Sequence, residues 1–277
     1  MSGVSLRAAS RVFARDGAVD PSPFLKSRKS RKYMGLQDDM AVVAAGRALE
    51  AAGLAAPLGP RVGLYLAVGH IPFEEKDIVP VLEASLDDAG DFDIGRFSRV
   101  GYPRANPLLT FRCLPNMPAF HVSVNFGIEG PYFVTYPGLA AFYDALEEAT
   151  VALARGRIDV ALVGGVAHQE NFLVRHHFGR NLAAGEQKEE LADAAAFVVL
   201  ERGPAHLTAH GSELAPAAGV RHGAPYAVAA EIAARRERGE TGYAHDETVR
   251  SGHRLRSTWS WTAPMGGSRE SGEPASP

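Results

Sequence analysis

Few side chains in this sequence could do chemistry, and most of those stand alone. Cys113 is the one cysteine. Only Arg112 beside it would lower its pKa, and Phe111 and Leu114 point to burial, so it reads as a structural thiol. A single cysteine also excludes an internal disulfide framework and a cysteine-based zinc site. His168, His176 and His177, with Glu170 close by, form a histidine cluster. His168 and His176 could share a helical face, but a metal site needs a third ligand beside them, and none is expected. His121 and Ser123 lie two apart on the same helix, on different faces, and cannot pair as base and nucleophile. Thr135 and Tyr136 offer hydroxyls next to a sharp Pro137-Gly138 turn, with no evident base. Gly164-Gly165 lacks the spacing of a phosphate loop, so these glycines let a strand pass close to a neighbour.

The elements around these residues alternate. Val4 to Phe13 reads as a first or edge strand, and Val62 to Val68 as a strand covered on both faces. Asp38 or Asp39 can cap a helix with Met40, Val43, Ala44, Ala48 and Ala51 at helical spacing, ended by Gly53. A second helix is expected over Ile78 to Leu86, then an irregular surface excursion from Asp87 to Pro107. Another helix runs to Phe126 and stops at Gly127. Tyr132 to Thr135 is a buried strand, Leu139 to Leu153 a helix apolar on most sides, and Ile158 to Val163 and Ala194 to Glu201 are strands. A helix greasy all round belongs between layers.

Composition fits a soluble globular chain: 277 residues, 46% hydrophobic, net charge −3. That balance argues against a nucleic-acid or membrane-surface role. No apolar run approaches a membrane span and no signal-peptide core is present, so a cytoplasmic location is expected. Residues 215–277, rich in Ala, Gly, Arg, Ser and Pro, read as a mostly disordered tail with a brief helical stretch near Val228 to Arg236. A rival reading has Trp259 and Trp261 anchoring that tail over the central helix.

The segment GPYFVTYPGLAAFYDALEEATVALARGRIDVALVGG, Gly130 to Gly165, resembles the β-ketoacyl synthases of the thiolase superfamily. They carry in this order a Gly-Pro pair, a strand, a nucleophile elbow and a helix running into Asp-Val-Ala-Leu-x-Gly-Gly. YMGLQDDMAVVAAGRALEAAGL is similar to their first helix, CLPNMPAFHVSVNFGIEGP to their Pro-Asn-Met helix, and LADAAAFVVLERGPAHLTAHG to their acidic-Gly-Ala-Ala strand, its Leu-Glu ending and the helix that follows. The resemblance covers most of residues 30–211. It implies an α/β fold, a thiolase-like half-domain of order βαβαβαββ with a mixed, mostly parallel sheet around a buried central helix. Domain bounds of 1–212 for that unit and 213–277 for the tail follow.

Counted from Pro131 or from Asp159, the family's cysteine nucleophile falls on Leu139, which has no nucleophilic atom. The His-Gly-Thr and Gly-His motifs of the family's C-terminal half are expected to be missing; His210-Gly211-Ser212 is a poor stand-in. Asp193-Ala194-Ala195 lacks the usual glycine. The chain therefore resembles small stand-alone ketosynthase-like proteins of fatty-acid-like or polyene pathways. It is also similar to chain-length factors, although those are full length and usually carry glutamine at the nucleophile site.

The resemblance implies a ketosynthase-like, non-catalytic subunit with no catalytic residue and no cofactor. Thr135, Tyr136, Gly138 and Leu139 would line an acyl site. Its partners would be an acyl carrier protein and a full-length ketosynthase, in a homodimer or heteromer, because half a fold would leave residues 139–154 open to water. The alternative is an active acyltransferase or condensing enzyme with an atypical or partner-donated nucleophile. A third reading is a functionless remnant, against which the complete set of half-domain elements argues. Lys26, Arg28, Lys29, Arg31 and Lys32 read first as a solvated basic loop and otherwise as a carrier docking patch.

Overall fold

A computed structural model describes residues 3–180, 190–216, 219 and 221–262. Its strands are β1 (Gly3–Phe13), β2 (Val62–Val68), β3 (Tyr132–Thr135), β4 (Val160–His168), β5 (Asp193–Gly203), β6 (Leu207–Leu214), β7 (Gly242–Thr248) and β8 (His253–Ser260). The helices are α1 (Leu36–Ala51), α2 (Glu75–Glu83), α3 (Ile94–Arg96), α4 (Leu109–Cys113), α5 (Met117–Phe126), α6 (Leu139–Ala154), α7 (Phe172–Arg180) and α8 (Ala227–Glu237). All the strands join one sheet in the order β3-β2-β4-β5-β1-β6-β8-β7.

The expected alternation of strand and helix up to residue 203 is present and α6 has its expected place, but the helix expected after Glu201 is instead strand β6, drawn out by its pairing with β8. The sheet differs from the expected, mostly parallel one. Only β3-β2 and β2-β4, whose connections run through helices, are parallel. The pairs β4-β5, β5-β1, β1-β6, β6-β8 and β8-β7 are antiparallel. β3 is not buried: it stands at the sheet edge with β2 as its one neighbour, and Tyr132 is 70% exposed.

Side chains of the central strands alternate between two cores. Ala195, Phe197 and Val199 of β5 face one core with α1 and α5, while Ala194, Ala196, Val198 and Leu200 face another with α6 and α8. A strand buried on both faces must be apolar at every position, which is why β2, β4 and β5 read as continuous apolar runs.

The largest correction concerns residues 213–277. Far from a disordered tail, residues 227–260 form α8, β7 and β8, and the sheet curls so that β6 and β8 lie over α6. Leu255, Ser257, Trp259 and Trp261 point inward and are buried, while Arg254, Arg256, Thr258 and Ser260 point outward. The Trp261 indole N–H donates to the Glu240 carbonyl at 2.7 Å. Outward arginines pair with Asp246 and Glu213. The buried inward positions of β8 are apolar but for Ser257, and an average composition dominated by its outward polar residues hides them. The face of α6 expected to be open to water is closed by the chain itself: Phe142, Leu146 and Leu153 are 0% exposed. Of the expected tail, residues 217, 218, 220 and 263–277 lie outside the described residues.

α1 starts at Leu36, two residues before Asp38 and three before Asp39, the expected caps. Gly35 is its N-cap, and Asp38 in the first turn accepts the Gly35 N–H at 2.8 Å. Burial pushes the Asp38 carboxyl up to about 8. Its second oxygen is buried without a hydrogen-bond partner. Burial also raises Asp39 to about 6, against the pull of its partner Arg31.

Cutting the chain after Leu214 should produce an aggregating product with no cooperative melt, because it strips the cover from α6; an unchanged melting temperature would refute this. Trp259→Ala should cost about 3–5 kcal/mol in denaturant unfolding. A carboxyl whose folded pKa is raised stabilises fully below its unfolded value near 3.8 and loses that contribution as pH climbs to the folded value. Asp38→Asn keeps an acceptor for Gly35, so its melting temperature should gain on the parent between pH about 4 and about 8 and level off above. A gap independent of pH would contradict the buried neutral acid.

Candidate functional site

The turn into α6 shapes the site. Gly138 has φ 89°, a conformation that side-chain-bearing residues rarely adopt, and it lets the chain pivot from β3 into the helix. Thr135 Oγ1 donates to the Ala141 carbonyl at 2.8 Å, so this hydroxyl braces the turn. Tyr136 is half-exposed, its ring edge-on to His70 with centroids 6.1 Å apart. Gly138 and Leu139 border a cavity of about 250 Å³, together with His70, His177, Gln169, His222 and Ser251. Of the four expected site residues, then, two line the cavity and two frame it.

Leu139 itself is 1% exposed. A β-carbon on Gly223 would sit 2.7 Å from that of Leu139, so the His222-Gly223 segment packs straight onto the leucine. The approach depends on Gly165 too, where a β-carbon would lie 2.0 Å from the Pro225 carbonyl oxygen. The glycine pair of β4 thus makes room, Gly164 under the Phe197 ring and Gly165 under the segment that delivers His222.

Two of the histidines at this cavity, His70 and His222, escaped the sequence reading. His70 and His177 ring centroids are 5.0 Å apart, His177 and His222 5.8 Å. Burial, and then the neighbouring His177 and His222, push His70 down to about 4, so it is neutral at physiological pH. The expected His168–His176–His177 grouping is split. His168 turns to Asp193 at 3.5 Å, Glu170 pairs with Arg175, and only His177 reaches the cavity. Among the described residues no group of three or more His, Cys, Asp or Glu is arranged to hold a metal ion. His210 sits 3.2 Å from Thr150 on α6, away from the cavity. The signal that could have found His222 was its His-Gly dipeptide, placed just before a helix in a stretch read as unstructured.

Two other candidates resolve as structural. Cys113 is buried, and burial, then Asp77, push its thiol up to about 11 while Arg112 is engaged by Asp77 at 3.2 Å. His121 is buried and held down to about 4 by desolvation.

Behind the cavity a buried polar chain fastens the C-terminal strands to α6. Tyr143 Oη lies 2.7 Å from His245 Nδ1 and 2.9 Å from Ser257 Oγ. His245 Nε2 approaches Glu247 at 3.4 Å, and Arg221 donates to Glu247 at 3.0 Å. The hydrogen bond from His245, with help from Arg221, holds Glu247 down to about 2. Arg221 adjoins His222, so this chain also seats the segment that reaches Leu139.

Comparison with known proteins bears on the whole architecture. No curated protein sequence matches this chain. Among solved structures, one from a type II polyketide synthase complex, an acyl-carrier protein with its ketosynthase bound to a hexaketide, superposes with TM-score 0.71 at 14% identity, over 94% of this chain and 100% of that one. The ishigamide ketosynthase/chain length factor gives 0.68 at 13% identity, over 94% and 99%. A β-ketoacyl synthase from Burkholderia phymatum STM815 gives 0.66 at 12%, over 95% and 100%. The fold is therefore thiolase-like, and the likeness continues past the expected half-domain into the strands that close over α6. The sequence profile of the β-ketoacyl synthase N-terminal domain matches residues 5–205, the stretch that holds the elbow and both parallel strand pairs, and so this chain belongs to the β-ketoacyl synthase family.

Proposed function

We propose that this protein is a ketosynthase-like subunit that does not itself catalyse condensation. It supports elongation of a carrier-bound acyl chain, in polyketide or fatty-acid-like biosynthesis, beside a full-length ketosynthase. The observation that carries this reading is Leu139: a buried hydrocarbon at the family's nucleophile position cannot form a thioester.

Two surfaces support it. A groove of about 770 Å³ runs between the 28–33 segment and α5, walled by Tyr33, Phe111, Phe120 and Val124, with Lys29 and Lys32 among its lining residues. Apolar walls bordered by ammonium groups suit an acidic carrier protein with an apolar docking helix. At the sheet edge, β3 has one unpaired side and exposed Tyr132 and Phe133, a template on which a partner strand can add.

A cysteine-directed ketosynthase inhibitor should leave the intact mass unchanged, and an adduct at the elbow would sink the inert reading. Lys29→Glu with Lys32→Glu should weaken binding of an acyl carrier protein by about tenfold or more at low salt, with the difference shrinking as salt rises. Equal affinities in a titration would remove the docking assignment. Phe133→Asp should abolish pairing with a co-expressed ketosynthase by light scattering while the melting temperature holds.

A further inference from the structure

We infer that Ser251 and His253 form a nucleophile–base pair that accepts acyl groups from thioesters at the Leu139 cavity and releases them to water. The substrate class rests on the reading above; the activity goes beyond it, because thioester hydrolysis needs neither a cysteine nor condensation.

Ser251 lies in the turn between β7 and β8 and lines the cavity. Its Oγ is 3.1 Å from His253 Nδ1, within reach for proton transfer. Gly252, at φ 80°, folds the turn tightly enough to bring the two side chains together. The Gly252 N–H donates to the Val249 carbonyl at 2.9 Å, and the Val249 N–H donates to the His253 carbonyl at 2.9 Å, which closes the hairpin. Across the cavity stand Gly138, Leu139 and Ala140, the first turn of α6, with no side-chain cap. The N–H groups of that turn, at the positive end of a 16-residue helix that no side chain caps, are the donors for a developing oxyanion. Burial raises the Asp144 carboxyl on α6 and the nearby His253 draws it back down, so this side chain is placed to balance the charge of the imidazolium. The Ser257–Tyr143–His245–Glu247 chain has more hydrogen bonds, but Tyr143 and Ser257 are 1% exposed, so it fastens rather than reacts.

The step balances without a cofactor. Ser251 Oγ bonds to the acyl carbon, its proton passes to His253 Nδ1, the C–S bond breaks and the departing thiolate takes that proton. Water then attacks the acyl-serine ester, giving its proton to Nδ1. The ester C–O bond breaks, Oγ regains the proton, and a carboxylic acid leaves.

The test incubates the full chain with an acyl N-acetylcysteamine thioester, following free thiol by a colorimetric disulfide reagent and the protein by intact mass and peptide mapping. Expected are thiol release above the buffer rate and an acyl adduct on the Ser251 peptide, both lost in Ser251→Ala. His253→Gln should slow release by about 10²–10⁴-fold with the melting temperature unchanged. Release at the buffer rate, release undiminished in Ser251→Ala, or an adduct on another residue overturns the assignment. Carrier docking, read separately through Lys29 and Lys32, stands or falls independently.

Discussion

The structure depends on keeping water from one helix. α6 is apolar on nearly every side, and a 16-residue helix of that kind is stable only when covered above and below. β2, β4 and β5 supply one cover. The chain then returns, after a long excursion through β6, to lay β8 and the two tryptophans over the other side. Everything chemical about the elbow follows, since the segment that carries His222 is held down by the same cover and sits on Leu139.

How much of this is legible in the sequence depends on how local the cause is. β2 and β3 have the bounds read from periodicity, because their patterns are set by neighbours along the chain. The edge position of β3 was not legible, since a short apolar strand looks alike at the centre and at the rim. The antiparallel places of β1, β6, β8 and β7 likewise depend on pairing between distant segments. The C-terminal region misled through its average composition: Arg254-Leu255-Arg256-Ser257-Thr258-Trp259 is polar by content, and its alternation shows only in which side chains are buried.

The site divides along the same line. Leu139 could be placed by counting between motifs, and Gly164-Gly165 could be read as a close approach. The partners that approach, Pro225 for one glycine and Phe197 for the other, could not. His70, His177 and His222 come from three separate elements and meet only in space, so no spacing rule joins them. Ser251 and His253, in contrast, are near neighbours whose significance appears only when the turn is seen beside the elbow.

The two rims of the sheet are chemically unlike. β3 offers bare backbone flanked by aromatic rings, whereas β7 is backed by α8 and laced by ion pairs such as Asp246–Arg254. Strand addition is therefore directional: a chain that docks on the β3 rim uses up the one adhesive border and presents a charged, already braced border outward. A strand added at that rim leaves only the ion-paired border facing outward, so the sheet offers no second edge of the same kind from which addition could continue.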